Sequence, residues 1–249
     1  MCMIDRRCAA CCSREEYPQG LNAAIRTAAR RGPVEVYGVC GQRYLGAGLE
    51  EGQVGITGTP GNALGAYLCG GRLFVHGNAQ DAVGDTMDGG RIAVDGMVGD
   101  AAGYAMRGGE IYVRGSAGYR AGVHMKAYGT KQPVLVIGGQ AGSFLGEYQA
   151  GGTIVVLNLG TENSAPAGRF CGMGMYGGKI YLRGKVLVPD LSDRLVCRPA
   201  TQQDMDAVAP ALQVFCGLFG LQQASLYASP FHVLQPNGAN PYRQLYTPL

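Results

Sequence analysis

The chain has 249 residues and a net charge of +3, with 16% of residues charged. That length can bury a sizeable core, as one domain or two small ones, and the charge is too mild for a nucleic-acid surface or a polybasic membrane patch. Glycine is the outlier at 42 residues, but its period is not three, which excludes collagen, and the 47% apolar content argues against disorder.

No apolar run reaches the roughly 18–20 residues that span a bilayer. The most apolar stretch, 208–221, is short and holds Pro210 and Gln213. The N-terminus has no apolar signal core, so a cytoplasmic protein is expected, with its nine cysteines as free thiols.

The first segment, 1–16, reads as a disordered arm. Its Cys8, Cys11 and Cys12 could offer thiolates to zinc or an iron–sulfur cluster, but no second CxxC completes a ligand set, so free thiols are the plainer reading. Residues 17–49 read as an N-terminal cap. Asn22 to Arg31 suits a helix stopped by Gly32 and Pro33, and Val34 to Val39 suits a strand.

From 50 to 190 the chain repeats. Gly58, Gly77, Gly96 and Gly115 start copies nineteen residues apart, and longer copies start at Gly139 and Gly160. Inside each, glycines recur in a GxxGxxxG pattern: Gly61 and Gly65, Gly84, Gly99 and Gly103, Gly118 and Gly122, Gly142 and Gly146. Self-similarity at a short fixed period is the mark of a solenoid.

Each copy leads into a five-residue strand with aliphatics at its second and fourth positions, and one further strand of the same kind (53–57) precedes the first copy. These are Val54 and Ile56, Leu73 and Val75, Ile92 and Val94, Ile111 and Val113, Val134 and Val136, Ile154 and Val156, Ile180 and Leu182. No helix fits between strands so close together. The reading is therefore an all-β, single-stranded parallel β-helix of about seven coils, with helical caps at both ends. Leu68, Met87, Met106 and Met125 should form one inward column.

Residues 191–249 form the C-terminal end. Thr201 and Asp204 resemble a capping box ahead of a helix from Gln202 to about Gly217, which Pro210 is expected to kink or split. The tail from Ser229 carries four prolines and should be extended. Cys40, Cys69, Cys171, Cys197 and Cys216 read as small hydrophobes, buried or partly so.

Chemistry is sparse. The glycine loops run into strand rather than helix and contain no GK[ST], so phosphate cradles are disfavoured. His76 and His124 share no local pattern with a nucleophile or metal partner. The outward column His76, Asp95, Arg114 reads as a ladder of polar pairs. Outward Phe74, Tyr112 and Tyr181 are large aromatics on a solvent face, which implies cover by a partner or by the chain's own flanks.

The repeat, together with NAAIRTAARRG (22–32), GQRYLGAGL (41–49) and NPYRQLYTP (240–248), resembles the GXGXG family, and within it the C-terminal domain of the glutamate synthase large subunit in its stand-alone form. The resemblance implies a right-handed parallel β-helix with no catalytic, cofactor-binding or metal residues of its own. It implies two partners: a glutaminase-type amidotransferase that releases ammonia, and an FMN and iron–sulfur subunit that joins ammonia to 2-oxoglutarate and reduces the product to glutamate. Arg43 and Tyr44 join Phe74, Tyr112 and Tyr181 as candidate interface residues. No nucleic acid or membrane is implied, and homo-oligomerisation stays open. Two alternatives are carried. One is a component of a molybdenum or tungsten oxidoreductase, because a formylmethanofuran dehydrogenase component resembles the same β-helix. The other is a free-standing β-helix binding module.

Overall fold

The computed structural model describes residues 2–5, 19–161, 163–185 and 188–238. In chain order its elements are β1 (Cys2–Asp5), α1 (Gln19–Ala29), β2 (Val34–Cys40), β3 (Gln53–Thr59), β4 (Arg72–His76), β5 (Asp88–Val94), β6 (Gly108–Val113), β7 (Val134–Ile137), β8 (Ala150–Val156), β9 (Gly177–Arg183), β10 (Leu195–Pro199), α2 (Gln202–Phe219), α3 (Gln223–Leu226) and β11 (Phe231–Pro236). All eleven strands lie in one sheet, in chain order up to β9 and then β11 and β10. Neighbours from β1 to β9 pair in parallel, and β11 then pairs antiparallel to both β9 and β10.

The repeat thus closes as a parallel β-solenoid. The seven strands β3 to β9 delimit about six turns, one fewer than the repeat count suggested. The segment 2–5, expected to be disordered, instead adds β1 to the edge of β2. Cys8, Cys11 and Cys12, and the NPYRQLYTP segment, lie outside the described residues.

One strand faces the other way from its expectation. In β7, Leu135 and Ile137 enter the solenoid core, while Val134 and Val136 point outward toward α2. Both faces of β7 are covered, so its sequence is a continuous apolar run with no alternation to mark the inside. The other six pairs of strand aliphatics point inward as expected.

The corners explain the glycines. Around Gly84 the backbone has positive φ at three alternating residues: Ala82, Gly84 and Thr86. Ala82 and Thr86 donate their N–H groups forward, to Asp100 O and Tyr104 O of the next coil, each at 2.8 Å. Gly84 donates backward, to Leu64 O at 2.8 Å. The same middle position is Gly46, Gly65, Gly103, Gly122, Gly146 and Gly172 in the other coils, always with positive φ. In every coil but that of Gly103 a Cβ there would enter the core and strike the aliphatic of a following strand, such as Leu73 at 2.8 Å from Gly46 or Ile180 at 2.7 Å from Gly146. The outer two positions admit side chains because theirs point to solvent. Four residues before the middle position the reason differs: at Gly99 and Gly118 a Cβ would overlap the carboxylate of Asp81 or Asp100, which accepts the N–H of Asp100 or Tyr119 in the next coil.

Leu68, Met87, Met106 and Met125 form the expected inward column, all fully buried. The next place in it is Gln149, equally buried, whose amide donates to Gly151 O at 3.1 Å and Gly152 O at 3.2 Å.

The first coil has no preceding coil to accept the Gly46 N–H. Helix α1 supplies the acceptor: Asn22 Oδ1 takes that N–H at 2.9 Å, and its Nδ2 donates to Tyr44 O at 2.7 Å. Arg26 donates to Ala47 O at 3.0 Å. At the other end Leu195 of β10 fills the space beside Gly172.

Two stability measurements check this account. Gly84→Ala should lower the unfolding free energy by at least about 2 kcal/mol, through left-handed strain plus the clash with Ile111, whereas Ala82→Gly, at a solvent-facing left-handed position, should change it by less than about 1 kcal/mol. Asn22→Leu should cost about 1–3 kcal/mol by leaving the buried Gly46 N–H without a partner. Urea denaturation of purified variants reads both.

Candidate functional site

The outer face of the sheet is built from rows that the parallel register stacks coil upon coil. The central row reads Glu35, Gly55, Phe74, Ala93, Tyr112, Val136, Val155 and Tyr181. Its second half is apolar, and α2 lies on it. Val208, Leu212, Phe215 and Phe219 of the helix join Ala93, Tyr112, Val136, Val155 and Tyr181 in a second core outside the solenoid. Each such fully buried side chain contributes about 1.5–3 kcal/mol. Gly138 leaves the space that Phe215 occupies. Tyr112 and Tyr181 are therefore covered by this chain's own helix and are not available to a partner. Phe74 is only half-buried, at the margin of that core.

Helix α2 runs unbroken through Pro210. Its start is fixed by Thr201 and Asp204, which form a complete capping box. The Asp204 carboxylate is nearly fully buried and also receives Arg198 at 2.6 Å and Lys179 of β9 at 2.7 Å. The Arg198 hydrogen bond above all, with those from Lys179 and Thr201, overcomes the opposing effect of burial and holds the Asp204 carboxyl far below the usual carboxylate range. This ion network ties the helix start to the last solenoid strand. Arg183 does the same for α3, donating to Leu226 O at 2.7 Å and Leu157 O at 3.0 Å.

Where α2 ends, the face is open. Beside Leu218 lies a cleft of about 290 Å³ that includes Glu35, Gly55, Arg72, Phe74 and Arg91. The cleft exists because the central row carries Gly55 and Ala93 on either side of Phe74, where later coils carry larger side chains. The Glu35 carboxylate lies across Gly55, in the space a Cβ would fill. Arg91 is engaged, paired with Glu110 at 2.7 Å and set over the Tyr112 ring.

The remaining candidates are dispersed. His76 stands at the cleft margin with its ring against Phe74, and Asp95 pairs with Arg114 at 2.8 Å, so the expected ladder joins its last two members only. His124 is exposed at a corner and stacks on Tyr148. Arg43 and Tyr44 are exposed on the first corner. Cys40 and Cys69 are exposed, against expectation, because both follow the last inward residue of their segment. Burial pushes the Cys171 thiol up to about 12, which leaves it protonated and unreactive. Among the described residues no group of three His, Cys, Asp or Glu side chains is placed to hold a metal ion, and no helix is long and apolar enough to cross a membrane.

The GXGXG motif family matches residues 7–235. The chain belongs to the GXGXG family. Its middle corner glycines, flanked by left-handed residues at alternate positions, recur through the matched span. A curated relative in Methanocaldococcus jannaschii, the uncharacterized protein MJ1350, is 40% identical over 132 residues, 51% of each chain. This GXGXG protein thus spans about half the length of that relative. Among solved structures, a chain of the formyltransferase/hydrolase complex of Methylorubrum extorquens, determined with methylofuran, matches with a TM-score of 0.61 at 25% identity, over 80% of this chain and 71% of that one.

Because the Asp204 carboxyl titrates below its unfolded value, the stability it confers is complete above about pH 4 and is lost as pH falls through the acid range. Asp204→Asn should lower the thermal midpoint at pH 7. The gap between wild type and variant should narrow as pH drops below about 4. Thermal melts at graded pH check both the sign and the window.

Proposed function

We propose that this chain is a non-catalytic structural subunit of a glutamate synthase assembly, scaffolding a glutaminase-type subunit and an FMN and iron–sulfur subunit. The observation that carries the reading is a contact. The two flanking motifs that resemble glutamate synthase meet in the fold: Asn22 of NAAIRTAARRG binds the backbone of Tyr44 and Gly46 in GQRYLGAGL. Those motifs are therefore the matched halves of one cap, and their joint presence supports descent from the same domain. The chain then contributes surface and rigidity, and its partners hold the flavin, the cluster and the glutaminase nucleophile.

A second reading rests on a different observation. The formyltransferase/hydrolase neighbour belongs to a complex of several proteins, and its likeness to this chain covers most of both. That favours a one-carbon assembly of the formylmethanofuran type. Both readings make the chain a partner-dependent scaffold.

Affinity purification of the tagged chain from its native host, followed by mass spectrometry, separates them. The proposal expects stoichiometric recovery of a glutaminase-type protein and a flavin and iron–sulfur protein. Recovery of formyltransferase or of molybdenum or tungsten proteins would replace it with the second reading. Recovery of the chain alone would overturn both.

A further inference from the structure

The cleft beside the end of α2 is assigned no role by the scaffold reading, and its chemistry is specific. It holds one uncommitted arginine and one uncommitted carboxylate that do not pair with each other. Of its two arginines, Arg91 is committed to Glu110 and to the Tyr112 ring, whereas the Arg72 side chain has no ion-pair or hydrogen-bond partner among the described residues. Glu35 is likewise without an ion-pair partner among the described residues. Its carboxylate rests on β3 over Gly55, and Arg72 rises from β4, the adjacent strand. Adjacent strands are about 4.8 Å apart, so the two charged ends face one small volume from neighbouring strands. The Phe74 ring and Leu218 supply apolar surface in the same cleft.

Opposite charges left apart around an apolar surface fit a small molecule that carries both charges itself. We infer that this cleft binds a free α-amino acid. The ligand's carboxylate would take the bidentate fork of Arg72, its ammonium would donate to Glu35, and its side chain would lie on Phe74 toward Leu218. The volume of about 290 Å³ admits one such molecule and excludes a folded peptide. Gly55 is the position that makes the site: any larger residue there would displace the Glu35 carboxylate and fill the cleft. This inference does not depend on which assembly the chain scaffolds.

The test uses the purified full-length chain. The proteinogenic amino acids are screened by saturation-transfer NMR, and the hits are titrated calorimetrically. At least one should bind saturably. Its 2-oxo acid, which lacks the ammonium, and its decarboxylated amine should each bind roughly ten- to a hundredfold more weakly, the loss expected for one charged hydrogen-bonding group. Arg72→Gln should abolish discrimination against the amine, and Glu35→Gln discrimination against the 2-oxo acid. Gly55→Val, at an outward strand position that tolerates a β-branched residue, should abolish binding while circular dichroism stays native. Saturable binding by none of the amino acids would overturn the inference. So would binding that survives all three substitutions, or a 2-oxo acid that binds wild type as tightly as its amino acid.

Discussion

The solenoid depends on one backbone position per turn. At the interior corners the middle residue of three left-handed ones must turn its Cα toward the core, donate its N–H to the coil behind and, at all but Gly103, leave the aliphatic of a following strand room to enter. Only glycine meets all three demands. The residues on either side share the left-handed backbone but point outward, so they carry Tyr, Ala, Thr, Arg, His or Phe. The glycine excess in the composition is thus a stacking requirement, repeated once per coil, and Gly99 and Gly118 add room for the carboxylates of Asp81 and Asp100.

A stack built this way has two ends and one uncovered face, and each needs a separate solution. The first coil lacks a predecessor, and Asn22 stands in for its missing carbonyl. The last coil is closed by an antiparallel pair, β10 and β11, which stops further parallel addition. The outer face is divided. Large apolar residues on β6 to β9 recruit α2, anchored by Asp204, and the glycine and alanine of β3 and β5 leave a hollow where the helix stops. Rigidity and an exposed, chemically varied surface fit a scaffold. The hollow is the part of that surface with the character of a small-molecule site.

Much of the solenoid was legible in the sequence because stacking repeats a single environment. A one-coil signal of glycines and alternating aliphatics is written seven times, and the methionine column follows from the same register. Legibility fails where an element is buried on both sides, as β7 is: Val134 and Val136 are as apolar as Leu135 and Ile137, and only the position of α2 separates them. The same cause hid the cover over Tyr112 and Tyr181, since the helix that buries them lies far along the chain. The capping box of α2 was readable from Thr201 and Asp204, but its partners Lys179 and Arg198 belong to other elements. The cleft was not readable at all. It arises from absence of side chain at Gly55, in a chain where glycine is everywhere.

Native-state hydrogen exchange of the corner glycine amides tests the central claim most directly. Gly65, Gly84, Gly103, Gly122 and Gly146 should be among the slowest-exchanging amides in the chain, opening only with global unfolding. Gly46 should match them in the wild type and exchange far faster in Asn22→Leu. Fast exchange at the interior corner glycines, at rates typical of surface loops, would mean that the corners are not hydrogen-bonded into the stack and would contradict the account.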